Sequence, residues 1–266
     1  MRDASQRDAS HQSTGQQGTG PASIFQQIDR LQAEINSHRP LDARLRKQIR
    51  EYYRIGLTYS SNALEGNTLT ETETKIVLEE GITIGGKPLK DHYEAMGHSE
   101  AFDLLYRLSA GKGIEDIKEA DIKRLHKLFY YRVDRGQAGK YRKVKTIITG
   151  SKYPLPAPEE IPGLMKALLP GIQEQRGKRH PVEMAALAHK VLVFIHPFID
   201  GNGRVSRLFM NLILLQEGFN IAIIPPAARA EYIQALEEAH EDDGRFIRLI
   251  AGAVKETQQD YLRLFA

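Results

Sequence analysis

The chain has 266 residues, 41% of them hydrophobic and 27% charged, with a net charge of +3. That composition describes a globular protein with room for a sizeable core, and so small a net charge gives no ground for nucleic-acid binding. The absence of cysteine excludes thiolate metal sites and disulfides. No window reaches the roughly 20 apolar residues of a membrane span and the N-terminus lacks a signal-peptide profile, so a cytoplasmic location is expected.

Residues 1–21 are rich in Ser, Gln and Gly and hold almost no large apolar side chain, which predicts a disordered tail. Ile24, Ile28, Leu31 and Ile35 fall at helical spacing until Pro40 interrupts. A second helix is expected from about 42 through Leu45, Ile49, Tyr52 and Tyr53 to Leu64, with Gly66 as its stop. Thr70 and Glu73 form a capping box for the next one. Helices follow in HYEAMGHSEAFDLLYRLSAG and IKEADIKRLHKLFYYRV.

The pattern changes at Lys140. YRKVKTIITG is short and β-branched, and four prolines follow in the next stretch, so a small hairpin or extended segment is expected there. PVEMAALAHKVLVFI is apolar on nearly every face and reads as the central buried helix. The following helix points Val205, Leu208, Phe209, Leu212 and Leu215 one way and Arg204, Arg207 and Asn211 another. Two more helices fill RAEYIQALEEAHED and GRFIRLIAGAVKETQQDYLRLF. The fold expected is all-α with one small β-hairpin.

The residues from His196 to Arg207, HPFIDGNGRVSR, concentrate the reactive groups. Pro197 stops the buried helix. Gly201 and Gly203 let the backbone approach a ligand at the start of the next helix, where free N–H groups and the dipole favour an anion. Arg204 and Arg207 add fixed charge suited to phosphate oxygens. Asp200 is placed to hold Mg²⁺ beside phosphates, and His196 is suited to move a proton near neutral pH. Alone, each has a bland reading as a helix end, a turn or a solvated face. Together they describe phosphoryl or nucleotidyl transfer.

This stretch resembles the Fic motif, H-x-F-x-[D/E]-G-N-G-R-x-x-R, at His196, Phe198, Asp200, Gly201, Asn202, Gly203, Arg204 and Arg207. The likeness extends over about 40–250 and is similar to the animal ER enzyme of that family, without its tetratricopeptide and membrane regions. The resemblance implies the Fic fold and a protein adenylyltransferase that moves AMP from ATP to a Ser, Thr or Tyr hydroxyl. It implies His196 as base, Asp200 as the Mg²⁺ ligand, Asn202 with the N–H groups of Gly201 and Gly203 as a phosphate cradle, and Val205 and Ser206 among the nucleotide-binding residues. Arg204 would meet the β-phosphate and Arg207 the γ-phosphate. The hairpin becomes a flap over 145–152 on which the target protein docks, with Thr149, Gly150, Ser151 and Lys152 beside the nucleotide. Tyr232 belongs to the adenine end. Ile233 and His240 stand where close relatives carry a second tyrosine and an asparagine, which implies relaxed base selectivity.

Ser61, Glu65 and Gly66 match the family's inhibitory motif, [S/T]-x-x-x-E-[G/N], upstream of the active motif. The resemblance implies that Glu65 pairs with Arg207 and denies it to the γ-phosphate. The division expected is a tail over 1–21, an N-terminal helical region with the inhibitory helix over 22–112, and a catalytic core with C-terminal helices over 113–266. Removal of AMP with the help of Glu65, or a nucleotide-binding module with little turnover, are the alternative functions. Residues Phe102 to Tyr106 read equally as core or as the face of a homodimer.

Overall fold

The computed structural model describes residues 21–111 and 113–265. The expected tail falls outside them except for Pro21, which opens the first helix. Ten α-helices follow among the described residues: α1 (Pro21–Ser37), α2 (Ala43–Ala63), α3 (Glu71–Glu80), α4 (Leu89–Gly111), α5 (Glu119–Tyr130), α6 (Ile161–Gln175), α7 (Pro181–Ile195), α8 (Asn202–Gln216), α9 (Arg229–Glu238) and α10 (Gly244–Arg263). No helix among them is long and apolar enough to cross a membrane.

Local chemistry sets several of the boundaries. Asp42 caps α2, its carboxylate accepting the N–H groups of Arg44 and Leu45 at 2.9 Å. At α3 the Thr70 hydroxyl accepts the Glu73 N–H (3.2 Å) and the Glu73 carboxylate accepts the Thr70 N–H (2.8 Å). Each such cap contributes about 1 kcal/mol. α7 ends at Ile195, where His196 turns left-handed and Pro197 has no N–H to continue the helix.

Two expectations need correction. α6 stands where the sequence pattern predicts no element, because Pro162 and Pro170 mask it. A first-turn proline sacrifices nothing, since that N–H has no helical partner. Pro170 does remove a hydrogen bond, and burial of Ile161, Met165, Leu168, Leu169 and Ile172 offsets the loss. The hairpin, in turn, is not formed. No strand occurs among the described residues, and 141–158 is extended loop that turns where Ser151 N–H donates to the Ile148 carbonyl (3.2 Å). Pro154, Pro156 and Pro158 leave the returning arm without donors for a ladder.

α7 and α8 pack against each other at the centre of the bundle. Ala185 and Ala188 on α7 and Leu208 and Leu212 on α8 are fully buried, so small residues on one helix admit large ones from the other. Each buried leucine stabilises by roughly 1.5–3 kcal/mol. α4 and α5 cover one flank, α1 lies along α10, and α2 crosses α4 and touches α8. Phe102, Leu104 and Leu105 are core, with Tyr106 only partly buried. Ile28, Phe102, Phe209 and Phe246 share one apolar cluster, so the core runs through both the 22–112 and 113–266 regions. That continuity presses the end of α2 against the start of α8.

Candidate active site

The loop from His196 to Gly201 joins α7 to α8 and is closed by Asn202. Asn202 Oδ1 accepts the Phe198 N–H and Nδ2 donates to the Phe198 carbonyl, both at 2.9 Å. Phe198 is fully buried and stacks on His126 with ring centroids 3.8 Å apart. His126 Nδ1 accepts the Gly139 N–H (2.8 Å), so its Nε2–H donates to the Asp200 carbonyl (3.1 Å). Burial pushes the His126 pKa down to about 4, which keeps it neutral in that role. Gly201 has φ 79°, and a Cβ there would lie 2.5 Å from the Phe129 ring, so only glycine fits.

No side chain caps α8, and its first N–H groups and dipole remain available to an anion. His196 Nδ1 lies 3.3 Å from the Val193 carbonyl. A carbonyl can only accept, so Nδ1 carries the proton and Nε2 keeps its lone pair. Burial pushes the imidazole pKa down, leaving a neutral base near pH 7. The His196 backbone is left-handed at φ 49°, the sole non-glycine case among the described residues, at a cost of about 1–2 kcal/mol. Strain of this kind gathers where side-chain aim matters.

Arg207 is 2% exposed. Its Nε donates to Ser61 Oγ (2.9 Å), Nη2 to the Ser61 carbonyl (2.8 Å) and to Glu65 Oε1 (2.7 Å), and Nη1 to the Tyr232 hydroxyl (3.2 Å). Glu65 therefore meets Arg207 although 142 residues separate them in sequence. The same carboxylate lies over the start of α8, where a Cβ on Gly203 would strike Glu65 Oε1. Burial pushes the Glu65 carboxyl up, but Arg207 and Arg204 outweigh it and hold it below the usual range. Gly66, at φ 91°, turns the chain away directly afterwards. Tyr232 lies beneath Arg207, 2% exposed, and reaches His189 Nε2 at 3.0 Å.

Asp200 commits Oδ1 to the Gly201 N–H (2.6 Å) and to Arg204 (3.2 Å), while Oδ2 faces Lys90 Nζ at 3.5 Å. Burial pushes this carboxyl up, and Arg204, the Gly201 N–H and Lys90 together bring it below its ordinary value. Arg204 is buried against Glu94 (2.8 Å) with its guanidinium over the Phe129 ring (4.3 Å). Lys90 also reaches Glu94 Oε1 at 3.5 Å. Val205 and Ser206 are fully buried, so their side chains serve the core.

The extended segment borders the site through Arg142, which is buried without an ion pair among the described residues. Its Nε donates to the His196 carbonyl (2.8 Å), Nη1 to the Val144 carbonyl (2.9 Å) and Nη2 to the Pro156 carbonyl (2.6 Å). Thr149 and Gly150 form an exposed tip. Ser151 Oγ accepts the Tyr153 N–H (3.2 Å), and the Lys152 N–H donates to Glu237 (2.9 Å) on α9. His240 is sandwiched between Tyr153 (3.8 Å) and Phe194 (3.7 Å). With half-exposed Ile233 these rings line a cavity of about 80 Å³. A roomier cleft of about 930 Å³, between the α1–α2 turn and α4, shares no residue with this site. Sequence reasoning missed Lys90, Glu94, His126 and Arg142. Arg142 hides among the lysines of KYRKVK, and the others sit among the many polar residues of α4 and α5, where nothing in their spacing marks them.

Residues 116–214 match the model of the Fic/DOC family. The protein adenylyltransferase Fic of Drosophila grimshawi is 35% identical over 237 residues, 88% of this chain and 48% of that protein. Protein adenylyltransferase fic-1 of Caenorhabditis elegans is 32% identical over 90% of this chain and 47% of its own length. The chain thus spans about half the length of the curated relatives it matches. A solved Fic-1 fragment from C. elegans superposes with a TM-score of 0.81 at 31% identity, covering 91% of this chain and 72% of that one. A Fic domain containing signaling protein from Bacteroides thetaiotaomicron gives 0.80 at 27% identity, over 90% and 97%. With 31% identity to the C. elegans Fic-1 fragment, 72% of which the chain covers, and the motif residues gathered at one helix start, the chain belongs to the Fic/DOC family.

Proposed function

We propose that the chain is a protein adenylyltransferase held in check by its own Glu65. The carrying observation is the convergence of a neutral His196, with Nε2 free, and an uncapped α8 whose first turn has the Glu65 carboxylate lying beside Gly203. The relatives named protein adenylyltransferase support the same chemistry. In the reaction, a target hydroxyl oxygen attacks the α-phosphorus of ATP while His196 Nε2 takes its proton. The bond from that phosphorus to the bridging oxygen breaks and pyrophosphate leaves. The first N–H groups of α8 hold phosphate oxygens, Asn202 keeps the loop closed, and Arg204 and Arg207 stabilise the outer phosphates.

The residues present suit Mg²⁺. Asp200 Oδ2 is a hard oxygen with its partner oxygen already committed. Among the described residues no group of three or more His, Cys, Asp or Glu could hold a metal, so one carboxylate plus water and phosphates is the fitting arrangement. Held there, the ion would supply charge neutralisation on the phosphates. The extended segment at 145–152, which pairs with no strand among the described residues, is suited to receive an extended stretch of the target protein by backbone pairing.

Glu65 acts as the brake because Arg207 Nη2 cannot serve both its carboxylate and a γ-phosphate, and the carboxylate also repels the triphosphate. The test is incorporation of radiolabel from α-labelled ATP into protein. His196→Ala lowers it by about 10²–10⁴, the usual contribution of a general base. Glu65→Gly raises it at least about tenfold, since restoring an Arg–phosphate contact is worth more than 1.4 kcal/mol. Label transfer that persists in His196→Ala rejects the catalytic assignment. Equal transfer by wild type and Glu65→Gly rejects the brake alone.

A further inference from the structure

Lys90 is the second residue of α4, where local rules disfavour a cation. The start of a helix repels positive charge, and a lysine four residues before a glutamate is the weaker order for a helical ion pair. Yet the side chain does not extend into water away from the site. Its Nζ lies 3.5 Å from Asp200 Oδ2 and 3.5 Å from Glu94 Oε1. The first contact falls on the one Asp200 oxygen that neither Arg204 nor the Gly201 N–H uses. Four charges alternate in this corner: Arg204 bridges Glu94 and Asp200 from below, and Lys90 bridges the same two carboxylates from the rim, where it is 55% exposed.

From this geometry we propose that Lys90 is a resident counter-cation of the metal position, which a divalent ion displaces when it enters. This rests on the reading of Asp200 as the metal carboxylate. A divalent ion on Oδ2 and an ammonium on the same oxygen repel each other, so one leaves. Lys90 has a place to go, because Glu94 Oε1 remains within reach after it releases Asp200. The arrangement keeps the buried corner neutral in the absence of metal and raises the metal concentration needed to load it. Metal loading becomes a second control on the site, separate from the contact between Glu65 and Arg207.

The test uses Mn²⁺ alone as probe, with free ion measured by electron paramagnetic resonance and no nucleotide present. Lys90→Ala binds Mn²⁺ roughly fivefold more tightly than wild type, the effect of losing one partly exposed charge contact. Lys90→Arg, which keeps the charge, binds no more tightly than wild type. Asp200→Ala loses the site. Unchanged or weaker binding by Lys90→Ala overturns the role given to Lys90, while binding that survives in Asp200→Ala overturns the metal assignment beneath it. Thermal unfolding of each variant, compared with wild type, confirms that folded protein is being titrated.

Discussion

At the scale of single residues, Gly203 and Glu65 are coupled through space rather than through a bond. The carboxylate occupies the volume that a Cβ on Gly203 would need. Gly203→Ala therefore destabilises wild type by about 1–2 kcal/mol and has a much smaller effect when Glu65 is already glycine, a coupling of the size seen between touching residues. Urea unfolding of the four forms measures it, and additive effects would show that Glu65 does not sit on α8 in solution. The pairing of Glu65 with Arg207 was legible from the inhibitory motif. The matching pair of Glu94 with Arg204 was not, because Glu94 is one acidic residue of a long helix and nothing in its spacing marks a partner on α8. Tyr232, which the resemblance places at the adenine end, has its hydroxyl against Arg207.

At the scale of elements, α4, α5 and α7 each bury a histidine near the site. Burial pushes His98 down to about 3 and His126 to about 4, and holds His189 well below its ordinary range. Between the ordinary histidine value of 6.5 and these depressed ones, the unfolded chain binds protons that the folded chain refuses, so acid favours unfolding. His126 alone accounts for a loss on the order of 3 kcal/mol by pH 4. Calorimetric Tm is expected to fall steadily from pH 6.5 to pH 4, and a flat profile there would contradict neutral burial. The Glu65 carboxyl, depressed by Arg207, adds its own loss only at more acid pH. Elements with local signals were readable: the α3 capping box, the apolar run of α7 and the two-faced pattern of α8. α6 was not, because two prolines spoke against a helix that tertiary burial sustains.

At the scale of the whole molecule, α1 closes the bundle far from the chemistry. Ile28 and Ile35 are fully buried, and Gln258 on α10 donates to the Ile28 carbonyl (3.2 Å) and Gln32 (3.0 Å). Ile28→Ala is expected to destabilise by about 2–4 kcal/mol, lowering the urea midpoint while leaving AMP transfer per folded molecule unchanged. Lost transfer at an unaltered midpoint would show that α1 acts on the site and not on stability. The all-α class and the 196–207 motif were legible because helical periodicity and a dense motif are both local. The expected strand pairing is absent because three prolines in the returning arm remove the donors a ladder would need. That leaves the stretch around 145–149 as extended backbone beside no strand, with Ile147 standing 88% exposed on it. Lys143, Lys145 and Lys152 border this stretch and the three prolines follow it, devices that discourage copies of the protein from adding to one another as strands. Solubility at high concentration thus depends on the same short segment that is suited to receive a partner.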